Sequence, residues 1–167
     1  ELSNLRESIH TRTIFKPGSS VSIADLKLHW NGDKVMFTSL MPDKCWNVFE
    51  IKLDGTGFRP LIETVEPELE FYDGTWLPDG RIIANSNIGY QGVPCVNGSD
   101  PVGNMVLYNP EDKNFRRLTF DQDANWNPVV MHNGRVMYVR WEYTDLTHYF
   151  SRIVMHMNPD GTDNRAL

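Results

Sequence analysis

Five side chains capable of chemistry fall within eight residues of "WEYTDLTHYFSR" (141–152): Glu142, Tyr143, Asp145, His148 and Tyr149. Two carboxylates, an imidazole and two phenols on one loop can bind a cation, a sugar or a polar cofactor, because they combine charge, hydrogen-bonding oxygens and flat apolar faces. The plainer reading is a surface loop whose aromatics pack on the next element. A second group is spread along the chain: Asp25, Asp73 and Asn127 each stand seven residues before a glycine, at Gly32, Gly80 and Gly134. Asx residues so placed either line a common mouth or, more plainly, hydrogen-bond nearby backbone N–H groups. A third candidate is the loop "NIGYQGVPCVNGSDPVG" (87–103), with Tyr90, Cys95 and Asp100 among four glycines and two prolines. It reads as a binding loop, as a clasp on a neighbouring domain, or as a packed Ω-loop.

The chemistry these groups could perform is bounded by what the sequence lacks. No GxSxG, HExxH, Walker loop or GxGxxG occurs, so no catalytic residue is assigned. Asp25, Asp73 and Glu142 are the set that would have to flank a sugar for hydrolysis, at roughly 5–10 Å. Cys45 and Cys95 are too few for a disulfide framework, though they could pair, or join His148 in a soft metal site. With no close-spaced ligand pair and no CxxCH, neither a metal nor a cofactor is assigned.

The elements that must position these residues follow from a repeat. "HWNGDKVMFTS" (29–39), "LPDGRIIANS" (77–86) and "VMHNGRVMYVR" (130–140) each place Asn-Gly or Asp-Gly before a run of β-formers. That is a strong hairpin signal, and a type I′ turn is expected because both of its central residues need φ > 0. A second turn follows in each unit, in "FEIKLDGTGFRPL", "LYNPEDKNFRRL" and "MHMNPDGTDNRAL", with Gly55, Asp112 and Gly161 in register. Four antiparallel strands per unit, repeated after 48 and then 54 residues, predict β-propeller blades. The expected blades cover about 24–65, 72–120 and 125–167, after an N-terminal segment 1–23 whose "TRTIF" could be a strand of a preceding blade. Three blades do not close a ring of four to eight, and the chain ends within an expected fourth strand, so a longer parent chain is expected.

In such meanders the tight turns share one face and the long loops the other, and binding residues concentrate on loops held by a rigid scaffold. The long-loop face is therefore the expected site. Trp30, Trp76 and Trp126 occupy corresponding places around the first strands and are expected to pack between blades. His156, alternating with Met155 and Met157, reads as a satisfied strand residue. The formal charge of −6 argues against a nucleic-acid partner. No apolar run approaches the roughly 20 residues that cross a bilayer as a helix.

"TWLPDGRIIANS" and "FEIKLDGTGFRPL" resemble the repeats of TolB-like, WD-type propellers, whose blades carry a Pro-Asp-Gly turn before the second strand. Residues 91–162 are similar to the propeller region of proteins related to the hydrazine synthase alpha subunit, through "GVPCV", "FDQDANWNP", "NGRVMYVRWEYTD" and "HMNPDGT". The resemblance spans about 24–167 and is strongest from 91 on. It implies a large, exported, multidomain parent, hence a periplasmic or surface location and other domains or subunits as partners. It carries no haem chemistry here, and Thr147 stands where most relatives have proline. The expected function is a non-catalytic propeller module that binds a small polar ligand or glycan, or docks other domains. The alternatives are a piece of a multihaem redox enzyme and a carbohydrate-active protein.

Overall fold

The computed structural model describes residues 2–3, 10–18, 21–40, 45–93, 97–143 and 151–167. Among these there are fourteen strands and no helix. β1 (Leu2–Ser3) pairs with β2 (His10–Thr11), so the expected strand at 11–15 is confined to its first residue. The remaining strands form three four-stranded antiparallel sheets, each in simple meander order. Blade 1 comprises β3 (Ile23–Leu28), β4 (Lys34–Leu40), β5 (Trp46–Lys52) and β6 (Arg59–Pro60). Blade 2 comprises β7 (Phe71–Trp76), β8 (Ile82–Ser86), β9 (Asn104–Asn109) and β10 (Asn114–Arg117). Blade 3 comprises β11 (Asn125–Val130), β12 (Val136–Trp141), β13 (Arg152–Met157) and β14 (Arg165–Ala166).

Burial explains the patterning. β8 lies in the middle blade, with neighbours on both faces, and all five of its residues are buried. Ile82 and Ala84 pack with Met36 and Val48 of blade 1, while Ile83 packs with Val136 and Tyr138 of blade 3. A strand covered on both sides needs no polar alternation, hence "RIIANS". β13 has one covered face and alternates: Met155 and Met157 are buried, Arg152 and Val154 exposed. Gly74 is required at the blade 1–blade 2 contact, where a Cβ would stand 2.7 Å from Met36 Sδ and 3.0 Å from Val48 Cγ1. The far face of blade 1 is covered by Ile14 and Phe15, with Phe15 stacked on Phe58 at 4.9 Å.

Two expectations are corrected. The first-to-second strand turns are not type I′. Only the glycines have φ > 0 (68°, 87° and 80° at Gly32, Gly80 and Gly134), and each glycine N–H donates to the carbonyl three residues back, on His29, Leu77 and Met131. This is a type I turn followed by a left-handed glycine, the longer hairpin connection. Asp79 and Asn133 instead accept the N–H two residues on, from Arg81 and Arg135. The three tryptophans are not equivalent either. Register places Trp76 with Leu28 and Val130, and Trp126 with Tyr72 and Ala24, while Trp30 lies beyond its strand.

Candidate functional site

Asp25, Asp73 and Asn127 share one backbone state. Their φ values are 55°, 54° and 55°, and each sits where the pairing of β3, β7 or β11 with the next strand slips by a residue. They are bulge residues of the first strand in each blade. Left-handed backbone is tolerated by Asn and Asp far better than by other side chains with a Cβ, which is why this position reads Asx three times.

Their surroundings differ. Asp25 and Asn127 are exposed, whereas Asp73 is 4% exposed and joins all three blades. Its N–H donates to Thr38 Oγ1 of blade 1 at 2.9 Å. Its Oδ2 accepts the N–H of Asn127 in blade 3 and, at 3.4 Å, Nδ2 of Asn85. Lys27 Nζ of blade 1 lies 3.3 Å from Asp73 Oδ1 and donates to the Pro128 carbonyl of blade 3 at 3.0 Å. Burial pushes the Asp73 carboxyl above its ordinary pKa, and the opposing pull of Lys27 and the Asn127 N–H does not fully offset it.

Beside this clasp, a cleft of about 400 Å³ opens between blades 1 and 2 on the long-loop side. It is lined by Asp25, Trp46, Glu70, Tyr72, Asp100 and Pro101, together with Ala24 and Thr38. Asp25 and Tyr72 come from the first strands, Trp46 from the start of β5, and Asp100 and Pro101 from the loop 87–103. Three carboxylates and two aromatic rings converge there. Burial, then Glu70 and Asp73, push the Tyr72 phenol up to about 12, so it remains a neutral hydrogen-bonding group. Among the described residues no three His, Cys, Asp or Glu side chains lie close enough to hold a metal ion. The arrangement suits a cationic or hydroxyl-rich organic group instead, through charge, hydrogen bonds and ring faces.

Other candidate residues are not in this cleft. Glu142 is 8% exposed and pairs with Arg140 at 2.5 Å, while Arg140 also meets Asp121 at 3.0 Å. The Asp25, Asp73 and Glu142 set is therefore not assembled around one pocket. Tyr143 packs at 5.2 Å on Trp141 and donates its N–H to Asp123. The loop 87–103 is internally bonded, Val93 N–H to Asp100 and Val102 N–H to Gln91, and its buried Val93 and Val102 pack with Trp141. Its described residues thus pack inward at Val93 and Val102 while Asp100 and Pro101 line the cleft. Tyr90 stands out from the loop, 63% exposed with φ 48°. Cys45 Sγ donates to the Pro67 carbonyl at 3.4 Å. Cys95, Asp145, His148 and Tyr149 lie outside the described residues, so the disulfide and the soft metal site do too. Trp46, Glu70 and Tyr72 carry no motif that singles them out in the sequence. The signal was available for Trp46, the first residue of a third strand and so a neighbour of the long-loop mouth.

No protein-family model matches the chain, and no curated protein sequence matches it. Solved structures do. Hydrazine synthase from Kuenenia stuttgartiensis superimposes with a TM-score of 0.67 at 11% identity, over 87% of this chain and 25% of its own. TolB from Acinetobacter baumannii gives 0.60 at 14%, over 86% and 32%. A puromycin-hydrolysing peptidase from Mycobacterium tuberculosis gives 0.64 at 17%, over 95% and 22%. The chain is a run of β-propeller blades. At these identities the likeness is one of fold, and fold alone does not transfer function. The chain spans between a fifth and a third of the length of these three structures.

Proposed function

We propose that these blades form a non-catalytic binding module of a larger exported protein, taking a small polar ligand in the long-loop cleft between blades 1 and 2. The observation that carries this reading is the convergence of Asp25, Glu70 and Asp100 with Trp46 and Tyr72 around a 400 Å³ space. The lining includes the bulge residue Asp25 and Thr38, whose hydroxyl accepts the Asp73 N–H of the clasp, which favours a preformed site. The acidic lining favours a ligand bearing an ammonium group or several hydroxyls, such as an amino sugar. The periplasmic or surface location belongs to the same proposal and rests on the resemblance to TolB-like propellers.

The test uses the full-length protein in a glycan array and a thermal-shift panel of amines, amino sugars and polyols. Asp25→Asn and Glu70→Gln serve as variants, because Asn already occupies the left-handed bulge in blade 3. A ligand whose shift or array signal drops in both variants supports the site. Absence of any saturable ligand, or a ligand indifferent to both variants, defeats it.

A further inference from the structure

The cavity of about 510 Å³ lies on the opposite, tight-turn face, between blades 1 and 2. Its walls include Trp30 and His29 at the first turn, Trp76 at the end of β7, and Lys34, Glu50 and Arg59 on β4, β5 and β6 of blade 1. Trp30 is 55% exposed although it adjoins this space. His29 meets the Trp76 ring edge-on at 4.9 Å, and Lys34 Nζ lies 5.4 Å from the same ring.

The blades differ at this place. Register aligns Glu50, Leu107 and His156 in the third strands, opposite Arg59, Arg116 and Arg165 in the fourth. A basic residue also opens each second strand or immediately precedes it, at Lys34, Arg81 and Arg135. In blade 2 the central residue is Leu107. There Arg116 reaches the Asp160 carbonyl of blade 3 at 2.8 Å, and Gly161 abuts Leu118, so that contact is closed. In blade 1 the central residue is Glu50, held by Lys34 at 2.8 Å and Arg59 at 2.7 Å. Burial raises the Glu50 pKa, but those two cations outweigh it and hold the carboxyl below its ordinary range. Two cations and one ionised carboxylate leave one net positive charge on the wall, in a chain of net charge −6. Arg59 spends Nε and Nη2 on Glu50 and is still more than half exposed. Its Nη1 has no partner among the described residues.

We propose that this turn-face cavity is a second binding site, for a small organic anion with a flat apolar body, such as an arylalkanoate. The anion's carboxylate meets Arg59 and Lys34, and its ring lies against the exposed Trp30, beside the buried Trp76. Arginine forks favour carboxylates over neutral isosteres, and exposed tryptophan supplies a ring face. The site is distinct from the long-loop cleft, so each can fail without the other.

The experiment titrates the full-length protein with 3-phenylpropionate and, separately, 3-phenylpropanamide, by calorimetry and tryptophan fluorescence. The acid is expected to bind saturably and the amide at least tenfold more weakly. Arg59→Gln and Trp30→Ala, both exposed enough to leave the fold intact, should each weaken the acid about tenfold or more. Asp25→Asn should leave it unchanged. Equal binding of acid and amide, no saturable binding of the acid at millimolar concentration, or binding indifferent to Arg59→Gln and Trp30→Ala overturns the proposal.

Discussion

The three bulge residues permit an internal control that few proteins offer. Asp25 and Asp73 share a backbone conformation (φ 55° and 54°), yet one is exposed and the other buried in the clasp. Asp25→Ala measures chiefly the left-handed backbone, less the relief of its repulsion with Asp73, and the expected cost is at most about 1–2 kcal/mol. Asp25→Gly should cost clearly less, because glycine enters that region freely. Asp73→Ala carries the same backbone cost. It also strands the Asn127 N–H and removes an acceptor from Asn85, which adds about 1–3 kcal/mol. The Lys27 contact adds little, since the raised pKa of Asp73 shows that burial outweighs the ion pair. The total for Asp73→Ala is thus about 2–5 kcal/mol. Asp73→Asn keeps the backbone state and one acceptor, and should cost about 1 kcal/mol. Urea unfolding followed by tryptophan fluorescence, with a constant slope across variants, measures all four. If Asp73→Ala costs no more than Asp25→Ala, the clasp contributes nothing. If alanine and glycine at position 25 are equivalent, the account of why Asx recurs is wrong.

Four further outcomes are expected. Gly103→Ala places a Cβ 2.2 Å from Tyr72 Oη and should cost about 1–3 kcal/mol. Tyr72→Phe should recover much of that loss in the double variant, measured by the same unfolding assay. Asp73 has a raised folded pKa, so the protonation-linked part of its contribution is complete below the unfolded value near 3.8 and is lost as pH rises through the raised value, leaving its hydrogen bonds; a melting-temperature profile against pH for Asp73→Asn should lack that loss. Glu50 has a lowered one, so its contribution is present above about 4.5 and is lost as pH falls through the folded value; Glu50→Gln should abolish that acid-side loss in a melting-temperature profile against pH. Tyr72 and Tyr138 are pushed to about 12, and Tyr72→Phe should remove one late-titrating phenol from an ultraviolet titration.

The blades were legible in the sequence because a turn glycine and a left-handed Asx leave residue-type signatures at fixed offsets. Asp25, Asp73 and Asn127 were found by that spacing. What spacing could not supply was their surroundings: whether a given Asx is exposed or clasped depends on the neighbouring blade. Glu142 is the contrary case, since the Arg140 that claims it stands only two residues away. The turn type was misjudged because Asn-Gly and Asp-Gly serve two hairpin connections, and the longer one needs a single left-handed residue. The turn-face cavity leaves no sequence signature for another reason. Its charged residues in blade 1 lie as far as 25 positions apart, from Lys34 to Arg59, and meet only through cross-strand pairing.

The two-base frame that recurs in each blade has a corollary. With arginine or lysine on either side, one intervening strand residue differs from blade to blade, and the two wedge-to-wedge boundaries differ with it. Glutamate is accompanied by an open, ion-lined recess, and leucine by a sealed junction. Histidine adds a group that accepts from Arg135 at 2.5 Å only while its ring is neutral. A blade can thus carry a different residue at this boundary position while its strands keep the same register.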